Sequence, residues 1–342
     1  MTWVCFLGFT CSFTLVLFQI PFIIRFSNRF VLHDDRDIYR KDHKKGISRL
    51  GGLALFPGFM CGVLFCFGRE DSAIFLLTGG YLVMFVFGLI DDLFGVEAMV
   101  KASGQIVSAL LILGLVKFEA GNLHDFLQIS QGYAYLAHSI VILLILLISN
   151  SFNMIDGIDG LAGLIGLFVH LVLGILLWLG GLKNYSLLSV IMAGAIAGFL
   201  YHNINPAKIF MGDSGAMLIG LSVAILSVIY LNQGAKNPLS LHKPAMLSAL
   251  LIVPVFDLLR VFIIRLWSGK SPFKGDRNHL HHQLKYLGLS DNETVLLLLA
   301  FNIMVFLFTV LLNQFGNLFL MLWQCALCLA LHVLLGFLKS FK

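Results

Sequence analysis

The sequence predicts an all-α fold: a polytopic integral membrane bundle of about eleven transmembrane helices. Three observations predict it. Hydrophobic residues make up 59% of the 342-residue chain and charged residues 12%, about half the charged share of a soluble domain. Mean hydropathy is +0.92. Apolar runs of roughly 20 residues, the length that crosses a hydrocarbon core, recur along the chain and lack the strict alternation of membrane β-strands. Disorder, a disulfide-stapled secreted domain and an ordinary soluble globule are excluded by the same composition.

The runs lie near residues 3–24, 50–68, 73–90, 101–118, 136–155, 160–181, 186–203, 214–231, 244–266, 293–312 and 317–338. The first has no basic stretch before it and ends at Arg25 rather than at a small-residue cleavage site, so it reads as a span and not a leader. A basic loop from Arg25 to Arg49 leads into the second, which opens on Gly51-Gly52. The third closes on Asp91-Asp92, and the fourth opens at Lys101. Asn150 to Gly160 joins the fifth and sixth. The seventh ends at Asn203, and Phe210-Met211-Gly212-Asp213-Ser214-Gly215-Ala216 leads into the eighth. The ninth closes at Arg265 before a loop holding His279-Leu280-His281-His282. Residues 1–342 read as one membrane-embedded domain, with a motif core at 25–288 and a C-terminal two-helix membrane segment at 293–342. All six cysteines fall inside apolar runs and read as lipid- or core-facing thiols, Cys325-x-x-Cys328 included.

With the N-terminus outside, 18 of the 23 Lys and Arg fall on the inner side and 5 on the outer. The positive-inside rule therefore places the N-terminus in the periplasm and the C-terminus in the cytoplasm. The basic excess is topological and gives no reason to expect nucleic acid. Acidic residues follow the same side, 14 of 18. Asp91, Asp92, Asp156, Asp159 and Asp213 stand at helix ends there. Like charges brought together need a cation or a function to hold them.

Each inner-face motif carries chemistry of its own. Asp91-Asp92 sits at a helix C-terminus, the end that disfavours anions. Asn150, Asn153, Asp156 and Asp159 recur every third residue and would form one polar stripe on a helix; Gly157 and Gly160 leave room for a ligand. Amide and carboxylate oxygens suit Mg²⁺, which commonly bridges to substrate phosphates. Asp213 with Ser214 could cap the eighth span, or hold a metal at a helix N-terminus whose amides face an anion. Lys45, His43 and Arg49, beside Gly51-Gly52, suit a phosphate or nucleotide. The three histidines of 279–282 lack zinc-protease spacing and suit phosphate hydrogen bonding or acid–base work. The isolated histidines, His170 among them, read as structural or interfacial. The rival class, a secondary transporter, would show mid-span acids, broken helices and an internal repeat; no repeat is found.

Together these residues resemble the polyprenyl-phosphate N-acetylhexosamine-1-phosphate transferases (the MraY–WecA-like glycosyltransferase family 4) from about Arg25 to Gly288. Gly269-Lys270-Ser271-Pro272-Phe273 and the His-Leu-His-His loop are closest to the WecA branch, the undecaprenyl-phosphate GlcNAc-1-phosphate transferases. The resemblance implies a transferase that moves HexNAc-1-phosphate, GlcNAc-1-phosphate first, from a UDP-sugar to undecaprenyl phosphate, with release of UMP. UDP-GalNAc or a deoxy-HexNAc donor is the alternative. It implies Mg²⁺, with Mn²⁺ as a substitute, on Asp213 and Asn153. It implies a catalytic set of Asp91, Asp92, Asp156, Asp159, His279 and Arg265, the Asp pair engaging the lipid phosphate. Lys45, Arg49, Gly157, Asn203, Phe210, His281 and His282 would bind substrate, Phe210 by stacking on uracil. The expected setting is the bacterial cytoplasmic (inner) membrane with the site on its cytoplasmic face. A homodimer is compatible with the resemblance. The chain departs from the family pattern at Gly95, where a third acid is common, at Arg36 and Ser48, where prolines are usual, and at Gly215-Ala216, where Gly-Ser is usual.

Overall fold

A computed structural model of the protein describes residues 2–29, 46–67, 72–115, 134–204, 206–232, 242–271 and 278–341. Among them every regular element is helical: α1 (Thr2–Arg29), α2 (Gly52–Cys66), α3 (Ser72–Phe94), α4 (Ala98–Leu115), α5 (Ala134–Ile155), α6 (Leu161–Leu179), α7 (Lys183–Asn203), α8 (Gly212–Leu231), α9 (Lys243–Leu250), α10 (Ile252–Trp267), α11 (Leu280–Tyr286), α12 (Asp291–Leu311) and α13 (Asn317–Ser340). Eight of these are long and apolar enough to cross a membrane, or nine if α9 and α10 form one broken span. The second and fourth runs are met by the shorter apolar helices α2 and α4. At 15 residues, α2 is about 22 Å long.

The axis of the bundle is α8. From Gly212 to Tyr230 every residue is buried except Asp213, the pattern of a helix surrounded on all sides. Helices α2, α3, α5 and α6 pack directly on it. Outside them, α1 lies along α7 and α2. A Cβ on Gly194 or Gly198 of α7 would collide with the carbonyls of Phe9 and Phe13 in α1. This small-xxx-small face lets two backbones meet where hydrophobic attraction between helices is lost to lipid. On α1, α12 and α13 large side chains such as Phe18, Phe22, Leu297, Leu307, Leu322 and Val333 stay exposed, a surface suited to lipid.

The ninth run is not one straight helix, as the sequence suggested. It breaks at Leu251, and α9 and α10 diverge by 76°. Pro254 has no N–H for the Leu250 carbonyl, which frees that oxygen. Asn302 of α12 takes up the break: Nδ2 donates to Leu250 O at 2.9 Å and Oδ1 accepts from Val253 N at 3.3 Å. Gln324 of α13 donates to Ala245 O at 3.0 Å and accepts from Ser248 Oγ at 2.6 Å. Broken membrane helices persist only where neighbours satisfy the freed backbone in this way. Asn302→Leu is expected to lower unfolding stability in detergent by about 1–3 kcal/mol, the penalty for stranding buried backbone groups; thermal unfolding of the purified variant measures it.

His170, read as structural, is buried with Nδ1 against Gly166 O at 2.8 Å and Nε2 against Ser222 Oγ at 2.9 Å. It ties α6 to the axis helix.

Candidate active site

The acidic pair explains its own placement. Asp92 stands at the C-terminus of α3, where a carboxylate is disfavoured, but this is also the N-terminus of α8. Its Oδ1 accepts from Asp213 N at 2.7 Å, and its Oδ2 accepts from Ser214 N at 3.0 Å and from Ser214 Oγ. Met211, the N-cap position of α8, offers no side-chain cap. A carboxylate from another helix therefore satisfies the first donors and suits the positive end of the macrodipole. The close fit needs glycines. Gly88 lies with its Cβ position 2.5 Å from Ser214 Cα, and Gly52 faces Ser214 equally closely. Gly212 has φ +73°, and a side chain there would strike Arg49 O and both Asp92 oxygens. This corrects the expectation that the first amides of α8 face an anionic ligand: two of them hold Asp92.

Asp91 points elsewhere. Its Oδ1 accepts from Val96 N at 2.8 Å and its Oδ2 meets Lys101 Nζ at 2.6 Å. Lys101 also pairs with Asp213 Oδ2. One ammonium thus joins carboxylates from α3 and α8, and it supplies the cation that converging acids require. Sequence reasoning counted Lys101 only as topological charge. The signal was its position in the first turn of α4, the end that disfavours cations.

The expected helical stripe is interrupted. α5 ends at Ile155, so Asp156 to Gly160 form a turn, with Gly160 at φ +81°. Asn150 exchanges hydrogen bonds with Gln105 of α4 at 2.9 and 3.3 Å and so clamps two helices, while Asn153 lies half-buried on the last turn of α5. Asp156 is half-buried in the turn. Asp159 Oδ2 accepts from Ala207 N at 3.0 Å. Burial pushes the Asp159 carboxyl up from its ordinary value, against the pull of the Ala207 N–H.

Asn203, 3% exposed, spends its side chain on backbone: Oδ1 accepts from Gly160 N at 3.0 Å and Nδ2 donates to Ile209 O at 2.8 Å. It positions the turn and the approach to α8. The ring of Phe210 is buried. Its backbone N donates to Ser48 O at 2.8 Å and its carbonyl accepts from Gly51 N at 3.0 Å. This pairing brings the half-buried Arg49 beside Gly212. Lys45 lies outside the described residues.

The histidine loop meets the Asp156–Gly160 turn. A Cβ on Gly157 would strike the His281 ring, so the loop packs on the acidic turn. The rings of His279 and His281 stack at 5.7 Å, and His281 and His282 lie 4.3 Å apart. His279 Nδ1 meets Asp257 Oδ2 at 2.8 Å. Arg265 is buried at the end of α10. Asp257 and Arg260 were missed from sequence. Their signal was an i, i+3 charge pair inside an apolar run, where ionisable residues are costly.

The structure thus joins Asp91, Asp92, Lys101 and Asp213 to Arg49 and Phe210 through Gly212, and joins the Asp156–Gly160 turn to His281. Among the described residues no group of three His, Cys, Asp or Glu side chains forms a metal cage. The oxygens of Asp91 and Asp213 that converge on Lys101 are hard donors. They fit Mg²⁺, which is commonly held by one or two carboxylates and substrate phosphates while keeping waters.

Residues 74–231 match the model of the family described as glycosyl transferase family 4. The chain is 30% identical over 292 residues to the probable undecaprenyl-phosphate N-acetylglucosaminyl 1-phosphate transferase of Bacillus subtilis (strain 168), covering 85% of the chain and 80% of the relative. It is 35% identical over 291 residues to the decaprenyl-phosphate N-acetylglucosaminephosphotransferase of Mycobacterium tuberculosis (strain ATCC 25618 / H37Rv), covering 77% and 70%. It is 31% identical over 272 residues to the undecaprenyl-phosphate alpha-N-acetylglucosaminyl 1-phosphate transferase of Haemophilus influenzae (strain ATCC 51907 / DSM 11121 / KW20 / Rd), covering 77% and 75%.

Proposed function

Because the chain belongs to the polyprenyl-phosphate HexNAc-1-phosphate transferases of glycosyl transferase family 4, WecA-like in kind, we propose that it moves GlcNAc-1-phosphate from UDP-GlcNAc to undecaprenyl phosphate. A phosphate oxygen of the lipid attacks the β-phosphorus of the UDP-sugar. The bond to the α-phosphate oxygen breaks, UMP leaves and a lipid diphosphate sugar forms. Such transfer needs in-line positioning and charge neutralisation more than covalent chemistry.

The observation that carries this reading is the junction of Asp91, Lys101 and Asp213 at the end of α8. Opposite charges here are held by three helices and need no reorganisation when phosphates arrive. Mg²⁺, held by Asp213 and Asp91, with Asn153 as the further oxygen donor the resemblance implies, would supply charge stabilisation for the diphosphate. Lys101, held between the carboxylates of Asp91 and Asp213, offsets phosphate charge. Arg265 and the histidine loop, which packs on the Asp156–Gly160 turn, offset further phosphate charge. Asp156, Asp159, Arg49 and Lys45 bind the nucleotide or its phosphates. The site faces the cytoplasm across the inner membrane, where a lipid phosphate and a soluble nucleotide sugar can meet. The reaction initiates a cell-surface polysaccharide. The broken α9–α10 span is a trait the transporter reading asked for. Its freed backbone is bonded to Asn302, however, and Asp91, Asp92, Asp156, Asp159 and Asp213 stand at helix ends or in a turn, while the one acid inside that span, Asp257, is paired with His279 and Arg260.

Purified protein incubated with undecaprenyl phosphate, Mg²⁺ and a panel of UDP-sugars tests the proposal. UMP and a lipid-linked product are expected, fastest with UDP-GlcNAc and lost on chelation. A faster rate with UDP-GalNAc or a deoxy-HexNAc donor would reassign the sugar. Uptake of intact UDP-sugar into vesicles without UMP would overturn the reaction.

A further inference from the structure

We propose that Asp257 is a positioning residue that holds His279 with its proton on Nδ1, so that Nε2 is the nitrogen presented to the substrate phosphates. This inference rests on the transferase reading above.

Asp257 is 1% exposed and lies inside an apolar helix. A carboxylate there is tolerated only if its oxygens are fully bonded. Its Oδ2 takes His279 Nδ1 at 2.8 Å, and its Oδ1 takes Leu280 N at 2.8 Å. One side chain therefore sets both the start of α11 and the orientation of the ring just before it. A carboxylate accepts only, so Nδ1 must carry the hydrogen, and the other ring nitrogen is the one left for chemistry. Nε2 makes no hydrogen bond among the described residues.

The plainer role for Asp257 is to neutralise Arg260, which is 5% exposed. The geometry argues against that as its main task. An arginine–carboxylate pair built for charge balance tends to be a two-pronged fork. Here Arg260 reaches Asp257 through one nitrogen at 3.1 Å. Its Nε and Nη1 are buried with no hydrogen-bond partner among the described residues. The nitrogen that reaches Asp257 also donates to Asn278 O, which Gln283 Nε2 holds as well at 2.8 Å. Arg260 thus fixes the residue before His279, and Asp257 fixes His279 itself. The chain of contacts continues through the stacked His281 ring to Gly157.

Asp257→Asn separates the two roles. The amide oxygen can still accept from Leu280 N, but the amide nitrogen then faces Nδ1 and drives the ring to the other tautomer. The expected result is a fall in kcat for UMP release of about 10²–10⁴-fold, the range seen when a histidine's orienting carboxylate is made an amide. KM for UDP-GlcNAc should stay within about threefold, because the change acts on the reacting phosphates rather than on uniform binding. In a His279→Gln background, Asp257→Asn should cause no further loss. Wild-type kcat in Asp257→Asn would overturn the proposal, as would an equal loss in the His279→Gln background. If Asp257→Asn does not fold, the charge-balanced pair Asp257→Asn/Arg260→Gln takes its place with the same readouts. Recovery of kcat in that pair would mean that Asp257 only balances charge, and would also overturn the proposal. A wild-type protein that releases no UMP from any UDP-sugar would instead overturn the transferase reading, and this inference with it.

Discussion

Asp213→Asn is expected to slow UMP release by about 10³-fold, the scale of removing a preorganised charge from a transition-state site, while the protein unfolds at the wild-type temperature. The two outcomes separate because the backbone and the carboxylate of Asp213 are attached to different groups. Its backbone N–H is held by Asp92, and that bond survives any side-chain change. Its carboxylate reaches Lys101 and is the only group between Gly212 and Tyr230 that is not buried, so packing does not depend on it. Asparagine keeps the shape and one oxygen and loses the charge. Lys101 remains paired with Asp91, so no cation is stranded. The rate should recover in part at high Mg²⁺ if Asp213 holds the metal, and initial rates across a Mg²⁺ titration measure this. Near-wild-type rates at all Mg²⁺ concentrations would remove Asp213 from the reaction.

The helices and the chemistry-bearing motifs were legible in the sequence because both are local signals. Each of the eleven apolar runs meets a helix or the α9–α10 pair. The acids, the Asp156–Gly160 turn and the histidine loop were each conspicuous as polar residues at the ends of apolar runs. What periodicity could not show was which helix a side chain serves. Asp92 looked misplaced because only α3 is visible from its own sequence neighbourhood; its partners lie more than a hundred residues on, at the start of α8. Lys101 was absorbed into a charge count for the same reason. Asn203 and Phe210 read as nucleotide contacts from resemblance; that the Asn203 side chain bonds Gly160 N and Ile209 O, and that the Phe210 ring is buried, is not visible in the local sequence. The break at Leu251 had a local cause in Pro254. Its tolerance had a distant one in Asn302, an ordinary polar residue within an apolar run until its partners are known. Asp257 and Arg260 were the most recoverable omission, since two opposite charges one turn apart inside a span are rarely without purpose.

Asp92→Ala should weaken both the fold and the reaction, and the pairing of the two losses is the test of the role assigned to it. Removing the carboxylate leaves two backbone N–H groups and the Ser214 hydroxyl without their acceptor, at a junction where glycines have brought α2, α3 and α8 into contact. Stranded donors of this kind cost about 1–3 kcal/mol each, and partial rescue by water brings the total to about 2–4 kcal/mol. With the first turn of α8 loosened, Asp213 no longer meets Lys101 in a fixed geometry, so kcat should fall by at least about 10²-fold, as misplacement of a charge-positioning element does. Asp92→Asn keeps one acceptor for the helix end and should recover most of the stability and part of the rate. Thermal unfolding and initial rates of the two variants, measured side by side, decide the matter. Loss of rate with an unchanged unfolding temperature in Asp92→Ala would mean that the carboxylate acts directly on substrate. Loss of both, with recovery in Asp92→Asn, means that an acid at the wrong end of its own helix is there to hold its neighbour's.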